Sequence, residues 1–147
     1  MVFITMCLLI LSSLSSCSGG DINVQCLKDL KQSLGDPNGA LSSWNFSRNA
    51  MGGYGLSQFA GVTGWPGDDN RIMLLNLSSM GLQGPIPTDI SLQMPYVKYL
   101  DLSHNRFSGP IPGSLQWFAA QDIAGNKRLC GMPLHRKCKE RVRSRNN

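Results

Sequence analysis

The sequence YLDLSHNRFSGPIP, residues 99–112, decides the fold because its pattern already occurs 25 residues earlier, as LLNLSSMGLQGPIP at residues 74–87. In register, the two copies share large apolar residues at the same positions and an identical Gly-Pro-Ile-Pro ending. Self-similarity at a period of about 20–29 residues is typical of stacked repeats. The chain is therefore expected to be a solenoid in which each copy forms one coil.

Each copy has the form of a leucine-rich repeat, with a Leu-x-Leu strand at its start. Alternate side chains of a strand point to the same face. Leu100 and Leu102 are therefore expected in the core, while Asp101 and Ser103 are expected to face outward on the concave sheet.

The second half of the repeat carries turn residues. Asn105 follows the strand, where its amide can bond backbone groups that no strand ladder satisfies. Gly109 permits a tight bend, and Pro110 and Pro112 fix φ and lack an N–H. These residues predict that no strand continues onto the convex side.

The N-terminus has the pattern of a secretory signal. An apolar run at residues 3–11 is followed by small residues up to Gly20. The run is shorter than the roughly 20 residues that span a bilayer, which predicts cleavage between Ser18 and Asp21. Because no Lys or Arg precedes the run, an uncleaved anchor is the alternative.

A helix is predicted within residues 21–35. Asp21 is a candidate N-cap, and Gly35 lies just past the end of the helix. Its apolar residues recur at helical spacing and are Val24, Leu27, Leu30 and Leu34. Such a helix can close the first coil of a solenoid, which would otherwise expose its core.

Several motifs resemble the extracellular region of plant leucine-rich-repeat receptor-like kinases. They are Cys-Leu-Lys at 26–28, Ser-Leu-x-Asp-Pro at 33–37, Leu-x-Ser-Trp-Asn-Phe at 41–46, Phe-x-Gly-Val-x-x-Trp at 59–65 and Gly-Asn-x-x-Leu-Cys-Gly-x-Pro-Leu at 125–134. The chain is most similar to the inactive receptor kinases that regulate the somatic-embryogenesis co-receptor kinases. The resemblance implies an α/β fold, a short right-handed solenoid with parallel strands on its concave face and an N-terminal helical cap.

The resemblance also bears on the cysteines. In the family, two cysteines flank the cap motif, but this chain has Ser57 and Gly64 at those positions. The C-terminal motif implies a disulfide between Cys130 and Cys138. Cys26 is then expected to be a buried thiol, with an intermolecular bridge as the alternative.

The predicted organisation has five parts. They are a signal peptide at 1–20, an N-terminal cap at 21–70, two repeats at 71–118, a degenerate repeat with a C-terminal cap at 119–138 and a basic disordered tail at 139–147. Residues 135–147 hold six basic residues and one acidic residue, so the whole net charge of +5 lies there. Such a tail is either a solvated end or a weak contact for acidic polysaccharide or anionic lipid. The resemblance implies that the chain stops before a membrane helix and kinase.

No motif for catalysis, a metal or a cofactor is present in the sequence, so a noncatalytic protein is predicted. The candidate protein-binding residues are the outward positions of the two repeats: Tyr99, Asp101, Ser103, His104, Leu74, Asn76 and Ser78. Asn45 and Asn76 begin glycosylation sequons, either of which could be unused. An extracellular location is expected, with the plasma membrane surface as a further possibility.

Three functions remain open from the sequence. The resemblance favours recognition of a protein or peptide, such as a co-receptor kinase ectodomain, and secretion argues against nucleic acid. The first alternative is a secreted inhibitor of cell-wall-degrading enzymes in defence. The second is a truncated product without stable function.

Overall fold

The computed structural model of the protein describes residues 22–48, 53–88, 90 and 97–139. Its elements are α1 (Ile22–Ser33), β1 (Val62–Trp65), β2 (Asp68–Asn76), β3 (Gln83–Gly84), β4 (Tyr99–Asp101), β5 (Arg106–Pro110) and β6 (Arg128–Cys130). Short 3-10 turns lie at Leu56–Gln58, Gly113–Leu115 and Ala120–Asp122. The predicted signal peptide, the Asp21 N-cap and most of the basic tail lie outside the described residues.

The concave sheet has the order β1-β2-β4. Strands β2 and β4 are parallel, and Leu75 pairs with Leu100, which is the 25-residue register of the sequence repeat. The ladder continues beyond β4, because the amide of His104 donates to the carbonyl of Ala124 over 2.8 Å. The degenerate segment thus adds a third coil to the stack.

A second parallel sheet, β3-β5-β6, lies on the convex side. The concave strand β4 ends at Asp101 and does not continue onto the convex side, as predicted, but a separate strand that was not predicted, β5, forms on the convex side and includes Gly109 and Pro110. Pro110 is tolerated because the donor toward β6 is the amide of Ile111, which bonds the carbonyl of Cys130 at 2.8 Å. The missing proline N–H is therefore not required by this pairing.

The core lies between the two sheets and continues under the cap. Leu100 and Leu102 are 6% and 1% exposed, as the alternation predicts. From the convex sheet, Phe107 and Leu129 close the core at 1% and 0% exposure. The predicted class, a short α/β leucine-rich-repeat solenoid, is confirmed.

The N-terminal cap is an aromatic cluster covered by α1. Trp44 stacks on Phe59 with ring centroids 6.0 Å apart, and Phe46 meets Phe59 edge-on at 5.2 Å. The indole N–H of Trp44 donates to the carbonyl of Ala60 over 2.9 Å, which satisfies its polar atom inside the cluster. The antiparallel hairpin β1–β2 then joins the cap to the first coil.

Asparagine side chains connect successive coils. Asn105 Oδ1 accepts from the amides of Met80 and Leu82, and its Nδ2 donates to the carbonyl of Leu77. Asn126 repeats this one coil later by accepting from the amide of Phe107. Each asparagine therefore bonds the backbone of the coil before its own.

The C-terminal cap contains the disulfide between Cys130 and Cys138, whose Cα atoms are 5.0 Å apart. Arg136 lies inside the loop that this bond closes. Its Nη1 donates to three carbonyls of the last coil, those of Asn126, Lys127 and Leu129, at 3.0, 2.9 and 3.1 Å. A charged side chain thus takes the place of a further asparagine.

Cys26 differs from expectation. It is 0% exposed, as a small apolar helix residue would be, but it is disulfide-bonded and not a free thiol. Its partner lies outside the described residues. The thiol was predicted because the family's usual cap cysteines are absent and because the cysteines before Cys26 lie in the predicted signal peptide.

Candidate recognition surface on the concave face

Neighbouring strands bring the candidate residues together in pairs. Leu74 pairs with Tyr99 and Asn76 pairs with Asp101, so that each outward position of one repeat lies beside its counterpart. Tyr99 is 62% exposed, an unusually large exposed fraction for an aromatic residue in a strand. Leu74 and Asp101 are half-buried, whereas Asn76 is exposed.

Ser103 does not belong to this surface. It was predicted to face outward, but only 6% of it is exposed. Strand β4 ends at Asp101, so the period-two alternation no longer applies two residues later. The amide of Ser103 instead donates to Asp101 Oδ1 over 2.9 Å, and its carbonyl accepts from Asn105 Nδ2 over 3.1 Å.

The same local turn follows the strand in the first repeat. Asn76 Oδ1 accepts from the amide of Ser78 over 3.0 Å and from the Ser78 hydroxyl over 2.6 Å. Asp101 therefore has a structural role through Oδ1, while its charge remains at the surface. Ser78 is half-buried and already bonded, which leaves it little capacity for a partner.

His104 stands at the corner where the strand leaves the sheet. It is exposed and has a left-handed backbone with φ 55°. Ser79 and Gly125 occupy the same corner of the neighbouring coils, with φ 56° and 77°. The imidazole is thus held beside the concave sheet by a backbone conformation that recurs in all three coils.

Trp65 and Lys98 were not among the candidates from the sequence. The Lys98 ammonium lies 4.3 Å from the centroid of the Trp65 ring, a close cation–π contact. The amide of Lys98 bonds the carbonyl of Met73 at 2.8 Å, which places this pair beside Tyr99 where β4 begins. Trp65 belonged to a cap motif, and only its pairing in the unpredicted β1–β2 hairpin brings it to this sheet.

The two sequons have similar geometry. Asn45 and Asn76 are exposed, and each Oδ1 accepts from the amide two residues later at 3.0 Å. A glycan on Asn76 would cover the outward side of the first repeat. The second repeat would then be the more accessible part of the surface.

The concave surface combines the exposed side chains of Tyr99, His104 and Lys98 with the half-buried carboxylate of Asp101. An exposed aromatic residue of this kind is typical of protein recognition. Among the described residues, no three His, Cys, Asp or Glu side chains lie close enough together to hold a metal ion. Nor does any helix in this part have the length and apolar character needed to cross a membrane.

Comparison with known proteins identifies a family model for the N-terminal cap and another for the second repeat. The family model for the leucine rich repeat N-terminal domain matches residues 23–50, and the leucine rich repeat model matches residues 96–118. Two similar relatives are receptor-like kinases of Arabidopsis thaliana. The leucine-rich repeat receptor-like protein kinase At5g48380 is 42% identical over 110 residues, which are 75% of this chain and 17% of the relative. The inactive LRR receptor-like serine/threonine-protein kinase BIR2 is 45% identical over 93 residues, 63% of this chain and 15% of the relative.

This chain therefore spans less than a fifth of the length of these two relatives. Among solved structures, that of PEPR1-AtPEP1 aligns with a TM-score of 0.50 at 25% identity. The alignment covers 72% of this chain and 13% of the other. This alignment supports a leucine-rich-repeat solenoid fold for the present chain.

Proposed function

From the premise that this chain is a leucine-rich-repeat protein related to plant receptor-like kinases, we propose that it is a noncatalytic module for extracellular recognition of a protein or peptide. Its partner class is the ectodomain of a co-receptor kinase, and its effect is to modulate signalling by cell-surface receptor kinases. An extracellular location and glycans on Asn45 and Asn76 belong to the same proposal.

The observation that carries the proposal is the exposure of Tyr99 at the start of β4. An aromatic ring that is 62% exposed gains contact area on binding and loses little conformational entropy, since it has few rotatable bonds. Asp101 and His104 follow Tyr99 in the chain, and Lys98, which contacts the Trp65 ring, immediately precedes it. Tyrosine is one of the residues enriched in interface hot spots.

The test is a biosensor titration against purified co-receptor kinase ectodomains. Tyr99→Ala is expected to weaken binding at least about tenfold, as removal of a central aromatic does at protein interfaces. Asp101→Lys is expected to weaken it as well, because it reverses the surface charge. Asp101→Asn separates the two roles of that residue, since it keeps the Oδ1 acceptor and removes only the charge.

The matched control is Trp117→Ala. Trp117 is 92% exposed and lies in the return segment after β5, away from the concave strands, so its removal should change affinity less than about twofold. Unchanged thermal melting of each variant confirms folding. The proposal fails if Trp117→Ala abolishes binding while the Tyr99 and Asp101 variants bind normally.

A further inference from the structure

The convex sheet carries an open groove of about 860 Å³. Three cationic residues line it, Arg106, Lys127 and Arg128, and no carboxylate is among its lining residues. We propose that this groove is a binding site for an acidic polysaccharide, a polymer of uronate sugars. The proposal is independent of protein recognition by the concave face.

Strand geometry directs the two arginines to the same side. Phe107 and Leu129 point into the core, so their neighbours Arg106 and Arg128 point outward, and both are exposed. In the register of β5 and β6, Ser108 pairs with Arg128. The two arginines therefore lie on adjacent strands, two residues apart in register, on the same side of the sheet.

The cationic groups are available to a ligand. Within the part of the chain that the structure describes, no hydrogen bond or ion pair engages the side chains of Arg106, Lys127 or Arg128. A carboxylate in the groove would meet guanidinium donors without displacing an internal partner. Such charge-assisted bonds are short and can be bidentate, and a cleft of one sign raises the local concentration of the opposite charge.

The floor and flanks of the groove favour a sugar. Gly84 lines it, and a Cβ at that position would meet no atom closer than 3.9 Å, so the absence of a side chain there permits close approach of a ring. Ser108 and Gln83 add a hydroxyl and an amide beside the arginines, and these groups can bond sugar hydroxyls. A membrane surface is flat and would not reach such a floor.

A peptide strand has no free edge to join. On one side of the sheet, Gly35 exchanges two backbone bonds with Gln83, at 2.8 and 2.9 Å. On the other side, Arg136 occupies the carbonyls of Lys127 and Leu129. Binding by strand addition, the common mode for extended peptides on sheets, is therefore blocked.

The experiment measures binding of the full chain to polygalacturonate by isothermal titration at two salt concentrations. The double substitution Arg106→Gln and Arg128→Gln is expected to lower affinity at least about tenfold, because two charge-assisted contacts are lost. The control Lys137→Gln with Lys139→Gln removes the same charge from exposed residues outside the groove, and should lower affinity less than about threefold. Thermal melting of both variants reports folding.

Three comparison probes decide the ligand class. Fully methyl-esterified polygalacturonate has the same backbone without charge and should not bind. Polyglutamate and phosphatidylserine vesicles carry charge without a sugar ring and should bind at least tenfold more weakly than polygalacturonate. Equal losses in the two double variants, equal binding of the methyl ester or polyglutamate, or binding to vesicles alone would overturn the proposal.

Discussion

Asn105 holds two coils together through one amide group. Its Oδ1 takes two backbone amides of the preceding coil, at 3.1 and 3.0 Å, while its Nδ2 reaches carbonyls of both coils. The first repeat has Met80 at the equivalent position, where no repeat precedes it. An asparagine is therefore present only where there is an earlier coil to bond.

Replacing Asn105 with alanine should lower the free energy of unfolding by about 3–5 kcal/mol. The substitution leaves the amides of Met80 and Leu82 and the carbonyl of Leu77 without their partner, and each such buried group costs about 1–3 kcal/mol. Denaturant unfolding measures the change.

Gln116→Ala is the control for this substitution, because it removes an amide from an exposed position and should shift stability by less than about 0.5 kcal/mol. A loss below about 1 kcal/mol for Asn105→Ala would contradict a coil-joining role.

For individual residues, the sequence predicted some contacts and missed others. The turn position of Asn105 predicted that its amide bonds backbone groups, and the structure confirms that. The identity of those groups depends on how one coil stacks on another, which local sequence does not determine. Ser103 was placed wrongly for a related reason, since the exact residue at which β4 stops is set by the turn that Asp101 forms.

The elements were predicted unequally well. The concave register followed directly from the 25-residue period, because stacked repeats pair equivalent residues. Helix α1 also lies within the predicted range, at Ile22–Ser33. The convex sheet was missed because proline was treated as a strand breaker, whereas the pairing of β5 with β6 does not need the donor that Pro110 lacks.

Restoring the family's cap cysteines, as Ser57→Cys with Gly64→Cys, should stabilise the cap by about 2 kcal/mol. Ser57 lies in the turn Leu56–Gln58 and Gly64 lies in β1, and the two elements are joined where the amide of Val62 bonds the carbonyl of Phe59 at 3.0 Å. Thermal melting with and without reductant measures the effect.

Each single cysteine variant is the control for the cap disulfide and should melt like the unmodified protein. If mass spectrometry shows that the bond has formed and the melting temperature does not rise, the cap is already rigid at this point.

For the whole molecule, the sequence predicted a short α/β solenoid, and this is what the described residues form. It did not predict the bond of Cys26, because the cysteines before it were assigned to a signal peptide and an odd number remained. Nor did it predict the groove on the convex face, which exists only once Arg106 and Arg128 lie on adjacent strands.

Arg136 gives the stack a finite length. A solenoid end presents unpaired backbone groups that resemble the surface on which the next coil would build, so an uncovered end is a template for another molecule. Arg136→Ala should uncover the carbonyls of Asn126, Lys127 and Leu129 while the Cys130–Cys138 bond remains. Sedimentation velocity is then expected to show concentration-dependent, end-to-end oligomers, whereas Lys137→Ala should sediment like the unmodified chain. One guanidinium would thus separate a discrete protein from a fibre-forming one, and equal sedimentation of the two variants would contradict this.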